Sequence, residues 1–155
     1  MINDTPNLGA PMADLGPFLR RRVDGRPRLM GIVNVTPDSF HAGSRVDSVS
    51  EAVEVGFAMW DAGADWVDVG GESTRPGALP VAVEEELERV IPVISALKDA
   101  RPDGLISVDT RRPAVAAAAL DAGADMVNDV SGLRDPAMLE LVRDRGCAVC
   151  IMHML

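Results

Sequence analysis

Three short stretches of this chain carry side chains suited to chemistry. The loop Asn34-Val-Thr-Pro-Asp-Ser-Phe40 gathers an amide, two hydroxyls and a carboxylate directly after an apolar run. These are hard oxygen donors of the kind that hold Mg²⁺ and phosphate groups. The same composition also makes Asx and proline turns whose side chains satisfy themselves. The second stretch, Gly70-Gly-Glu-Ser-Thr-Arg-Pro-Gly77, has three glycines, through which backbone can approach a ligand closely. Ser73, Thr74 and Arg75 add hydroxyl and guanidinium donors, a set fit for a diphosphate. The alternative is a flexible loop with a surface arginine. Third, Asp109 and Asn128 each end an apolar run. A carboxylate beside an amide can read the donor–acceptor edge of a flat heterocycle, or it can be a buried network that only holds the fold.

Other reactive residues form no catalytic set. His41 and His153 are the only imidazoles, and neither belongs to a triad or a metal-ligand cluster. Cys147 and Cys150 form a C-x-x-C inside an apolar run that reads as a strand. Residues three apart on a strand face opposite ways, so the sulfurs are not expected to converge on a metal or a disulfide.

The elements that must position these residues follow a regular alternation. Strands are predicted at about 29–35, 66–70, 105–109, 126–128 and 147–152. Helical patterns separate them, at about 46–62, 83–100, from Pro113 through Leu120, and from Pro136 onward. Pro113 and Pro136 suit first helical positions, with Asp135 as an N-cap. Residues 1–27 lack periodicity and read as an N-terminal arm, leaving 28–155 as the folded unit. The segment Asp61-Ala-Gly-Ala-Asp65 recurs as Asp121-Ala-Gly-Ala-Asp125, each copy leading into a strand. The copies are two βα units apart, so one unit is about 30 residues long. Parity places Val67, Val69, Ile106, Val108 and Val127 on one face of the sheet. Asp68, Ser107, Asp109, Asn128 and Asn34 fall on the other. A doubly wound sheet covered by helices on both sides needs two apolar faces. Polar residues on one face fit a barrel lumen instead. The expected fold is therefore α/β, part of a (βα)₈ TIM barrel: four βα units and a fifth strand. Strand ends in that fold share one rim, where ligands are bound.

Bulk properties narrow the function further. The 155 residues are the size of one domain, and 47% are apolar. A net charge of −9 argues against general nucleic-acid binding, without excluding an anionic small molecule held by local donors. No run approaches the roughly 20 apolar residues of a membrane span, and no secretory signal pattern opens the chain, so a cytoplasmic location is expected.

The motifs Met30-Gly-Ile-Val-Asn-Val-Thr-Pro-Asp-Ser-Phe40, Asp68-Val-Gly-Gly-Glu-Ser-Thr-Arg-Pro-Gly77, Ser107-Val-Asp-Thr110, Asn128-Asp129 and Met152-His-Met154 resemble the dihydropteroate synthase family, in order and in spacing. The resemblance runs from about Leu29 to Leu155. It implies condensation of 6-hydroxymethyl-7,8-dihydropterin diphosphate with 4-aminobenzoate, giving 7,8-dihydropteroate and diphosphate. It implies Asn34 as a ligand of Mg²⁺, Thr74 and Arg75 as catalytic donors, and Asp109 and Asn128 as holders of the pterin ring. Phe40, Arg75 and Pro76 would shape the aminobenzoate pocket, where sulfonamides compete. The family implies a homodimer. The sequence departs from the family at Ala42, where a loop acid is usual. The pterin-contacting Asp and Lys and the diphosphate Arg/His pair of strands six to eight are not in these residues. The chain is thus expected to be the N-terminal half of the barrel and, alone, to turn over little or not at all. Two alternatives remain open: a pterin-binding methyltransferase barrel, and a non-enzymatic half-barrel.

Overall fold

The computed structural model describes residues 16–20, 22, 24–36, 45–72 and 80–152, excepting the side chains of 17, 18 and 45–48. A single-turn helix α1 (Gly16–Leu19) precedes β1 (Met30–Asn34), α2 (Arg45–Asp61), β2 (Trp66–Gly70), α3 (Val83–Ala100), β3 (Leu105–Asp109), α4 (Pro113–Asp121), β4 (Met126–Asp129), α5 (Pro136–Arg145) and β5 (Ala148–Ile151). The five strands are parallel and lie in sequence order, β1-β2-β3-β4-β5. An order that never reverses is the winding of a barrel; a doubly wound sheet turns back at a switch point. The expectation of a partial (βα)₈ barrel is borne out.

The parity of the strands decides what each face does. Val33, Val67, Val69, Ile106, Val108 and Val127 are buried against α2 to α5, on Trp60, Val90, Ile94, Leu97, Val115 and Met138. Each such side chain contributes about 1.5–3 kcal/mol by leaving water. On the lumen face, a smaller cluster of Trp66, Leu105, Met126 and Ala148 closes the lower layers, with Cys150 against it. Cys147 packs against the helix-side core, so the two thiols face opposite ways and both are free.

Local signals in the sequence act as read. Asp135 caps α5, its Oδ1 accepting from the Ala137 N–H at 2.9 Å, with Pro136 in the first turn. Gly63 and Gly123, in the two copies of the repeat, take φ of +100° and +107°, which only glycine adopts without strain. The repeated aspartates then do the same work twice. Asp65 Oδ2 accepts the Leu29 N–H at 2.9 Å, while the Asp65 N–H donates to the Leu29 carbonyl at 2.8 Å. Asp125 Oδ2 accepts the Ile106 N–H at 3.0 Å, and its N–H donates to the Ile106 carbonyl at 2.8 Å. Each copy thereby sets its strand in register with the preceding one.

Candidate functional site

The strand pairing brings three of the sequence-predicted site residues into one row. Asn34 pairs with Gly70, Gly70 with Asp109, and Asp109 with Asn128. All stand at the carboxyl ends of their strands, on the lumen side. The row beneath holds Ile32, Asp68, Ser107, Met126 and Ala148. Phe40, Thr74, Arg75 and Pro76, and also His41, Ala42 and His153, lie outside the described residues.

Gly70 keeps the row open. A Cβ there would lie 3.4 Å from Asp109 Cβ, 3.6 Å from Asp109 Oδ2 and 3.8 Å from Asn34 Oδ1. The missing side chain leaves space between an exposed amide and a half-buried carboxyl. Gly71 has a different task from the ligand approach its sequence context suggested. Its Cβ would strike Val90 Cγ1 at 2.9 Å and Glu86 Cγ at 3.1 Å, so this glycine lets the loop lie against α3.

The electrostatics of the lumen are unusual for a chain in water. Asp68 is 1% exposed, and its Oδ1 is buried, with the buried Ser107 hydroxyl beside it in register. Asn128 reaches across β3, its Nδ2 donating to Asp68 Oδ2 at 2.9 Å. Burial pushes the Asp68 carboxyl up from its ordinary range, and the neighbouring Ser107 hydroxyl and the Asn128 bond offset this in part. Asp109 is pushed up to about 7, first by burial and then by the charges of Asp68, Glu86, Asp129 and Glu72. A carboxyl poised near neutrality among other buried acids is a candidate functional group. Asp109 accepts no hydrogen bond from the described residues and is open to a donor-bearing ligand.

Glu72, in the second of the three stretches, is held in a clamp. Arg112 Nη1 donates to Glu72 Oε2 at 2.8 Å and also to buried Glu86, while its Nη2 donates to the Val81 carbonyl. Arg111 and the Val81 N–H hold Glu72 Oε1 at 3.1 and 3.4 Å. Arg89 donates to the Gly71 carbonyl at 2.6 Å. The residues flanking 73–79 are thus fixed on both sides by α3 and the start of α4. Sequence reasoning missed Asp68 and Arg112 as parts of the site. Asp68 was legible from its lumen parity and its place in the second motif; Arg112 gave no such signal.

Among the described residues, no group of three or more His, Cys, Asp or Glu side chains could hold a metal. Asn34 offers one amide oxygen beside the space over Gly70. That fits Mg²⁺, which keeps several waters and takes further oxygens from a bound phosphate.

The profile of the pterin-binding enzymes matches residues 30–155. The chain is 50% identical over 128 residues to the dihydropteroate synthase of Escherichia coli K12, covering 83% of this chain and 45% of that protein. It is 58% identical over 127 residues to a probable bifunctional folylpolyglutamate synthase/dihydropteroate synthase of Haloferax volcanii, covering 82% and 15%. The Xanthomonas albilineans dihydropteroate synthase solved with 4-aminobenzoic acid superposes with a TM-score of 0.78 at 54% identity, covering 83% of this chain and 47% of that one. The chain spans less than half the length of these relatives. Since the matched span takes in all five strands with the Asn34–Gly70–Asp109–Asn128 row, the chain belongs to the pterin-binding enzyme family.

Proposed function

We propose that the chain carries the pterin-diphosphate half of a dihydropteroate synthase site. The observation that carries this reading is the Asp109–Asn128 pair, aligned across β3 and β4 at the open end of the lumen and backed by Asp68. An ionised Asp109 accepts two N–H bonds from the amino-pyrimidine edge of a pterin, and Asn128 contributes a third contact. In the reaction, the amine of 4-aminobenzoate attacks the methylene carbon of the pterin. The carbon–oxygen bond to the diphosphate breaks, diphosphate leaves, and the amine gives up a proton to water. Thr74 and Arg75 take the growing charge of the leaving group. Phe40, Arg75 and Pro76 line the aminobenzoate pocket, where a sulfonamide would compete. Asn34 would hold Mg²⁺, which when bound neutralises diphosphate charge. The same proposal includes a homodimer and a cytoplasmic location; among the described residues, no helix is long and apolar enough to cross a membrane.

Calorimetric titration of the chain with 6-hydroxymethyl-7,8-dihydropterin diphosphate and Mg²⁺ tests the reading. Saturable binding is expected, with Asp109→Asn weakening it by about 100-fold, the worth of two hydrogen bonds to a charged group. Binding that ignores Mg²⁺ and the diphosphate would favour a pterin-binding methyltransferase instead. Equal binding by wild type and Asp109→Asn would refute the assignment of the pterin edge.

A further inference from the structure

Asp68 lies buried one layer below the rim, yet it holds a rim residue. Its Oδ2 accepts the Asn128 Nδ2–H at 2.9 Å. An amide has one donating end and one accepting end; a carboxylate only accepts. One N–H of Asn128 is therefore committed to Asp68, and the Asn128 oxygen is left on the other side of the group. That oxygen has no hydrogen-bond partner among the described residues, and neither do the oxygens of Asp109, the register partner of Asn128.

We propose that Asp68 is a positioning residue that fixes the Asn128 amide with its oxygen toward the ligand, so that an amide oxygen stands beside the Asp109 carboxylate as a second acceptor. A site of acceptors selects a heterocycle edge rich in N–H donors and rejects the same ring with a carbonyl in place of the amino group. The reason is that two facing acceptors leave a buried group without a hydrogen bond. The 2-amino-4-oxo edge of a pterin is the accepted pattern; the 2,4-dioxo edge of lumazine is the rejected one. The negative charge of Asp68 also acts on Asp109. One small amide, held by a buried acid, thus sets which ring the lumen takes. This assignment rests on the pterin reading for its ligand, while the orientation of Asn128 does not.

The test separates the two. In Asp68→Asn, two amides still hydrogen-bond each other, so a merely structural link survives, but Asn128 is free to turn its NH₂ to the ligand. The double variant Asp68→Asn/Asn128→Asp reverses the donor and restores an acceptor at the rim. With the full chain, fluorescence titration of pterin against lumazine should show a preference for pterin that shrinks by about tenfold in Asp68→Asn and returns in the double variant. In ligand-free ¹⁵N spectra, one Asn128 side-chain amide proton should be shifted downfield and slow to exchange in wild type, and lose both properties in Asp68→Asn. An unchanged Asn128 amide signal in Asp68→Asn would overturn the inference whatever the ligand. An unchanged pterin-to-lumazine ratio in a variant that does bind pterin would overturn it as well. Wild-type chain that binds neither ring would refute the pterin reading, with the amide signal still deciding the role of Asp68.

Discussion

Asp109 combines two properties that pull against each other. It must be ionised to accept N–H bonds from a ring edge, yet its surroundings favour the neutral acid, with burial first and neighbouring carboxylates second. Its carboxyl therefore titrates at about 7, against 3.8 for a free side chain. A ligand that needs the carboxylate must expel a proton below that pH, and the affinity carries the free energy of doing so. On the proposed pterin reading, affinity for the pterin diphosphate should be flat above pH ~7 and weaken by about tenfold per unit below it. Calorimetry in two buffers of different ionisation enthalpy measures both the slope and the proton released. Asp109→Asn should lose this dependence together with most of the affinity. A wild-type slope centred near pH 4 would show that Asp109 is not the group the ligand deprotonates.

At the scale of elements, the repeated Asp-Ala-Gly-Ala-Asp shows how much a short motif can specify. Its final aspartate ties the start of one strand to the backbone of the strand before it, once at Leu29 and once at Ile106. Asp125 also meets Lys98, which is a quarter exposed, at 3.0 Å. Asp125→Ala should lower stability by about 2 kcal/mol, because the N–H of fully buried Ile106 loses a charged acceptor. Lys98→Ala should lower it by less than about 1 kcal/mol, as expected for a partly solvated pair. Urea unfolding of both variants checks the order, and a larger loss for Lys98→Ala would reverse this account. The repeat, the alternating strand faces and the capping prolines were legible in the sequence because each acts over a few residues. Asn34, Asp109 and Asn128 were legible because each ends an apolar run. Arg112 was not. It meets Glu72 from 40 positions away and Glu86 from 26, and nothing in a linear pattern reports such distances. Gly71 was misread for the same reason: its neighbour is α3, which only the folded chain brings close.

The whole molecule sets local acids against one another, and its stability should record the balance. Asp65 is held below the ordinary carboxylate range: burial opposes this, but the Leu29 N–H, Arg28 and Arg22 outweigh it. Its contribution is present at higher pH and is lost as pH falls through its lowered value. Asp109 and Asp68 are raised and act in the opposite sense. Between 3.8 and about 7 the folded chain keeps a proton on Asp109 that the unfolded chain has released. Stability therefore falls as pH rises through that window, by roughly 4 kcal/mol for Asp109 if nothing compensates. The net charge of −9 adds self-repulsion in the same direction. The ligand-free chain should thus be most stable under mildly acidic conditions, near pH 4 to 5 as an approximate range. Asp109→Asn removes one titrating group and leaves the overall charge pattern almost intact. The variant should be more stable than wild type at pH 8 by a few kcal/mol, with a flatter profile above pH ~5, although it loses the ligand. Trp60 and Trp66, buried on opposite faces of the sheet, report unfolding of both cores by fluorescence. Denaturation midpoints across this pH range give the comparison. An Asp109→Asn chain less stable than wild type at pH 8 would mean that the carboxylate is compensated in the folded state, and that the lumen is not strained by the charge it holds for its ligand.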